Sequence, residues 1–365
     1  LNRLSKSTMV LKGALCGALL GTAMLASCPL AAAPLGPVID RPAEVTALAT
    51  NSVLIGLAKA GERLVVVGER GIVLLSDDSG KQWRQAEVPT SVSLTAVTFP
   101  SPRQGWAVGH AGVILHSDDG GETWHRQLEG REAAKLALAA AEKEVAETPG
   151  KLADNHLKAA KLLVSDGPDK PFLGVHFLDE QRGYAFGAYG LLFRTEDGGQ
   201  SWQPWIDHTG NERSLHLYAM AGDGQTLLIA GEQGLLMRSD DGGQSFVTQQ
   251  PPYRGSYFAM AKLPSGKWLL AGLKGTLLES DDGKRFTVVP KVPPISWSSL
   301  TPGATDVFLA NQAGMAFRLA PATNQLELLA IPKGFPANAL TPAADGSLIA
   351  VGPRGVTRIP QTRKK

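Results

Sequence analysis

Two cysteines are all the chain contains, Cys16 and Cys28, and both fall within its first 28 residues. That excludes a disulfide-stapled scaffold and every zinc pattern built on several cysteines. Neither sign of charge is in surplus: 36 Lys and Arg stand against 34 Asp and Glu, so the basic face of a nucleic-acid binder is missing. The sequence has no His-Glu-x-x-His, no Gly-x-Ser-x-Gly and no phosphate-binding loop, and its seven histidines are dispersed without ligand spacing. No catalytic residue, metal ligand or cofactor is expected. What the chain has is glycine and proline, 41 and 24 residues, together about 18% against a usual ~12%. With scattered Val, Leu and Trp, that favours many short strands and turns over long helices.

Residues 1–33 read as an address rather than a fold. Arg3, Lys6 and Lys12 precede an apolar run at 14–26, and no acid appears before Asp40. The run is short and glycine-broken, so it suits a secretory leader better than a membrane span. Two processing routes stay open. Ala31, Ala32 and Ala33 offer a small-residue cleavage site, with Pro34 directly behind it. Leu25-Ala26-Ser27-Cys28 has the form of a lipobox, in which Cys28 would be acylated. Either route places the mature chain in the periplasm, free or anchored as a lipoprotein.

Residues 34–365 repeat. "VGERG" at 67–71 returns as "VGHAG" at 108, "FGAYG" at 186, "AGEQG" at 230, "AGLKG" at 271, "ANQAG" at 310 and "VGPRG" at 351. The steps between first-glycine positions are 41, 78, 44, 41, 39 and 41 residues, with Asn311 in the glycine's place once. That is the period of four-stranded propeller blades, with one insertion. The fold expected is all-β, a single seven-bladed propeller. The Asn substitution fits a position with φ > 0. Between the third and fourth strands of a blade stands S-x-D-x-G-x-x-W: Ser76, Asp78, Gly80 and Trp83; Ser117, Asp119, Gly121 and Trp124; Thr195, Asp197, Gly199 and Trp202. Ser239, Asp241, Gly243 and Phe246 form a fourth copy, and Ser280, Asp282 and Phe286 a copy one residue shorter. These are aspartate boxes, the turn signature of BNR repeats. Hydroxyl and carboxylate can accept backbone N–H bonds, and the aromatic packs into the blade. Blade seven shows only three strands, and residues 37–48 are expected to supply its outer strand and close the ring.

The long step holds a helical insertion, 129–168, between blades two and three. Residues 131–147 and 151–164 are rich in Ala, Leu, Glu and Lys, broken by Thr-Pro-Gly. It reads equally as an ornament on a tolerant loop or as a docking arm. It leaves from the face formed by the B–C turns and D–A loops, which varies from blade to blade. The opposite face repeats its turn residues. Recognition of an asymmetric partner needs variation, so the partner-binding candidates are Arg70, His110, Tyr189, Arg213, Tyr253, Arg254, Lys274, Trp297 and Arg354.

Seven "VGxxG" repeats with "SDDGGxxW" boxes behind a leader resemble the photosystem II assembly and stability factors, in a branch like that of non-photosynthetic proteobacteria. The resemblance covers about residues 50–360. It implies a non-enzymatic, monomeric scaffold that holds an envelope or membrane-complex protein, an exporter among the choices. No nucleic acid and no small-molecule substrate is implied. The alternative is a carbohydrate-active or glycan-binding BNR propeller. Sialidases share the boxes, but their N-terminal Arg-Ile-Pro is missing; here Arg358-Ile359-Pro360 falls after all the boxes. For the leader, sequencing the mature N-terminus with fatty-acid labelling will show a labelled start at Cys28 or an unlabelled start near Pro34. A full-length unprocessed product contradicts both.

Overall fold

A computed structural model describes residues 36–331 and 334–360; the leader reading and Cys28 lie outside them. Seven antiparallel sheets follow one another along the chain, each bonded in sequence order, six of four strands and the last of three. They are the blades of a seven-bladed β-propeller. Blade two is representative, with strands A (Leu94–Thr98), B (Gly105–Gly109), C (Ile114–Ser117) and D (His125–Leu128).

Strand B explains the repeat. In blades two to seven all five of its residues are buried. It sits mid-sheet with a neighbouring blade on each face, so it reads as a continuous apolar run instead of an alternating one. Large side chains then lock blade to blade. Trp106 of blade two stacks on Phe177 of blade three at 3.7 Å between ring centres.

The boxes are turn closures. Ser117 Oγ donates to Asp119 Oδ1 at 2.8 Å and accepts from the Gly121 N–H at 2.8 Å. Asp119 in turn accepts from the N–H and hydroxyl of Thr123. Boxes three and four repeat this at Thr195/Asp197/Ser201 and Ser239/Asp241/Ser245. With its groups occupied locally, each turn still exposes carbonyls, and the preceding blade takes one. Arg358 donates to Ser79 O, Arg63 to Gly120 O, Gln127 to Gly198 O, Trp205 to Gly243 O and Arg238 to Asp282 O, all at 2.8–3.1 Å. All five boxes are held this way.

Residues 37–48 do not form the outer strand of blade seven. They run along blades one and two: Ser91 N–H reaches Val38 O, Ala43 N–H reaches Val88 O, and Arg126 binds Ile39 O and Asp40. Ile39 is buried with Ala86, Val88 and Val92 of blade one, which claims the segment. Pro42, without an N–H, also breaks any ladder. Among the described residues blade seven has three strands, and the ring closes by packing on blade one. Asn338 Nδ2 donates to Leu54 O at 2.9 Å, and Val351 shares a core with Leu54, Val66 and Leu74.

The insertion is two helices, α1 (Gly130–Glu147) and α2 (Lys151–Asp166). Glu129 caps α1 through the Arg131 N–H. Ala133 packs with Phe172, Phe193 and Trp202 of blade three. The broad Ala and Leu composition is used only in part: Ala133, Ala134 and Ala141 of α1 and Ala153 and Ala160 of α2 are buried, while Leu152 and Leu162 stay exposed.

Hydrogen bonds from the Ser239 and Ser245 hydroxyls hold Asp241 down at about 2, against the ordinary 3.8. The Arg285 and Lys284 N–H groups depress Asp282 as well. A carboxyl lowered on folding stabilises above its unfolded pKa and loses that contribution as pH falls through the folded one. The boxes are therefore weakened progressively below about pH 4. Asp241→Asn will flatten the loss of melting temperature between pH 4 and pH 2. Ser239→Ala, removing a buried hydroxyl that both donates and accepts, will cost about 1–3 kcal/mol in a urea titration at pH 7.

Candidate protein-binding face

The B–C turn of each blade abuts the D–A loop that leads to the next. The second glycine is pinned there: a Cβ on Gly234 would come within 2.8 Å of Arg254 Cα, and one on Gly275 within 2.1 Å of Pro293 O. The first glycine is extended, with φ −162° at Gly68 and −156° at Gly272. It is glycine because a Cβ at Gly68 would meet Val53 O at 2.3 Å. Asn311 is therefore not a φ > 0 substitute. Its Oδ1 instead accepts the N–H groups of Ala313 and Met315, both at 3.1 Å, and tightens the turn.

Between the two glycines sits a strained residue. Arg70, Ala111, Tyr189, Gln233 and Lys274 occupy equivalent positions in blades one to five, all with φ of 53–56°. Each is followed by a glycine also at φ > 0, the pairing of a type I′ turn, whose twist suits the strands it joins. A non-glycine residue in that region costs about 1–2 kcal/mol. Five side chains are kept where glycine would be easier.

From blade three to blade six the face forms one linked tract. The Tyr189 N–H donates to His216 Nδ1 at 2.8 Å, and their rings meet edge-on at 5.1 Å. The Gln233 N–H donates to Ser256 Oγ and the Lys274 N–H to Ser296 Oγ. Arg213 binds Gln233 Oε1 across blades. Thus Tyr189, Arg213, Arg254 and Lys274 fall on one continuous surface, with Tyr253 half-buried at its edge. Arg70, His110 and Arg354 are exposed on the same face, on blades one, two and seven.

Trp297 does not belong to the surface. It is fully buried, edge-on to Phe317 at 5.5 Å. It is the first residue of strand A, where blades one to five carry Leu54, Leu94, Phe172, Leu217 and Tyr257, all buried. A strict alignment of the repeats identifies it as core. The same alignment would have found His216, Ser256 and Ser296, each one residue before strand A, which composition alone did not single out.

The charges are lopsided. Glu69 spends a carboxylate oxygen on the Val53 N–H, and Glu232 accepts from the His216 N–H. Arg70, Arg254, Lys274 and Arg354 form no ion pair among the described residues. The face therefore offers exposed cations without ion pairs, while two of its acids, Glu69 and Glu232, are tied to backbone and Glu212 stands exposed beside Arg213.

The chain matches the family model described as photosynthesis system II assembly factor YCF48 over residues 40–150 and 157–250. Among curated protein sequences, none matches it. A solved structure described as YCF48 bound to D1 peptide is 15% identical, with a TM-score of 0.60 over 86% of this chain and 95% of that one. YCF48 from Cyanidioschyzon merolae is 14% identical, with a TM-score of 0.58 over 87% and 98%. The WD40 propeller domain of Doa1 is 10% identical, with a TM-score of 0.62 over 90% and 98%.

The strained turn yields a test of the face by itself. Lys274→Gly keeps the N–H bonded to Ser296 and relieves the positive φ. Against that, it loosens the unfolded chain by about 0.4–1 kcal/mol. Its stability in a urea titration will be unchanged or raised by up to about 1 kcal/mol, whereas glycine at an ordinary strand position destabilises.

Proposed function

The chain belongs to the photosynthesis system II assembly factor YCF48 family, and from that premise we propose that it is an exported scaffold for a membrane-complex protein. Its partner segment is acidic or carboxylate-bearing and lies on the tract from Tyr189 to Lys274. The observation that carries this reading is that Arg254 and Lys274 are exposed without an ion pair among the described residues, while Tyr189, Gln233 and Lys274 are held at strained turn positions. Such positions lower stability, so their side chains are retained for contact. The solved relative bound to a D1 peptide supports a polypeptide partner. In this reading the mature protein works in the periplasm, free or tethered through Cys28, and an exporter is among the envelope complexes it can serve. It acts by holding its partner and carries out no chemistry.

Two kinds of variant separate contact from architecture. Arg254→Ala and Tyr189→Ala leave the melting temperature unchanged and lose about 2 kcal/mol or more of binding where they are hot spots. Trp202→Ala removes a buried ring packed edge-on to Phe177 and costs about 3–5 kcal/mol of stability. The measurement is recovery of envelope proteins on immobilised protein, at low salt and at 0.5 M salt as a rough step across the Debye screening range. A partner retained equally by wild type, Arg254→Ala and Tyr189→Ala, and indifferent to salt, places the contact elsewhere.

A further inference from the structure

Between the helical insertion and blade three lies a cleft of about 260 Å³. Its floor is Leu191, Leu192 and Phe193 of blade three, with Pro204 and Ile206 beyond. Its roof is Ala137, Ala140 and Ala141 of α1 and Ala159, Ala160 and Leu163 of α2. Alanine on both helices keeps the roof thin and leaves the space open. A cavity of about 150 Å³ with such walls accommodates benzene, so this one takes about ten heavy atoms.

One polar side chain is built into the apolar wall. His156 is 6% exposed, and its Nδ1 lies 2.9 Å from Glu144 Oε2 on the facing helix. That bond fixes the ring. The other ring nitrogen, Nε2, has no partner among the described residues, and His156 is one of the residues that line the cleft. An imidazole held by a carboxylate, with its second nitrogen unengaged, is a neutral hydrogen-bonding post beside the apolar part of the slot.

The remaining charges decide what enters. Glu144, Asp166 and Asp207 face the cleft, against Lys170 alone. Lys170 is already bound to Asp166 and Asp169, and sits over the Tyr189 ring at 5.1 Å. An anion would meet three carboxylates, and the one lysine is already engaged by two aspartates.

We propose that this cleft is a binding site for a small, apolar ligand of about ten heavy atoms, without negative charge, with one hydroxyl or amine bonded to His156 Nε2. The site is separate from the cationic tract, touching it only at Tyr189. It does not depend on the partner assigned above.

The probe is 2-naphthol, a bicyclic alcohol of the required size, with 2-naphthoate as its anionic counterpart. Titration calorimetry with the full chain at pH 7 will show one saturable site, at least tenfold tighter for 2-naphthol than for 2-naphthoate. Ala159→Phe fills the slot from a partly solvent-facing position. It will weaken 2-naphthol at least tenfold with an unchanged melting temperature. Ala146→Phe, on an exposed position of α1 outside the cleft, will not. Failure of 2-naphthol to saturate overturns the proposal, as does equal binding of the two probes. Indifference to Ala159→Phe also overturns it. A cleft filled only by a side chain of a protein partner appears as the first of these results.

Discussion

A hydroxyl that donates to a carboxylate while accepting a backbone N–H is the interaction on which the ring depends. In each aspartate box it closes the C–D turn with no help from outside, as Ser239 does for Asp241 and Gly243. Because the turn's own donors are satisfied, its carbonyls remain for the neighbour. Five boxes are each held by a donor from the blade before. One local motif thus does two jobs, shaping a hairpin and setting the stacking of blades. Where the box is lost the molecule compensates. Blade six closes its hairpin at Asn324, with φ 56°, and carries a five-residue outer strand.

This division frees the other face. The box side is repetitive because every residue there is committed to turn geometry. The B–C side keeps only its two glycines for the fold, one for close approach and one for positive φ. The residue between them points outward and is unconstrained except by an unfavourable backbone. Arg, Tyr, Gln and Lys, with Ala111 in blade two, stand at that place although folding alone prefers glycine.

Much of this was legible in the sequence. Blade number, strand order, box positions and both helices follow from a repeat of about 40 residues and one interval that is too long. Where sequence and structure differ, the cause is shared: residue type points one way and strand register the other. Trp297 looks like a surface anchor by type and is core by register. Asn311 looks like a tolerant φ > 0 residue, and the position is extended. Residues 37–48 suit, by position in the chain, the blade that lacks a strand. The apolar Ile39 instead found its place between Ala86, Val88 and Val92. Cavities walled by residues far apart in sequence, such as the one that His156 and Leu191–Phe193 both line, carry no periodic signal and are visible only once the helices are placed.

The way the ring shuts has a consequence in time. Within a blade every pairing joins residues close along the chain, so each meander can form as soon as it exists. The exception is the seam. Asn338 meets Leu54 across 284 residues, and Arg358 meets Ser79 across 279. During synthesis at roughly 5–20 residues per second, blade one waits roughly 15–60 s for the blade that covers its flank. Over that interval Leu54, Val66 and Leu74 have no lid. The last forty residues are therefore the shutter of the molecule, and a chain interrupted before them is left with a sticky end, however well its first six blades have formed.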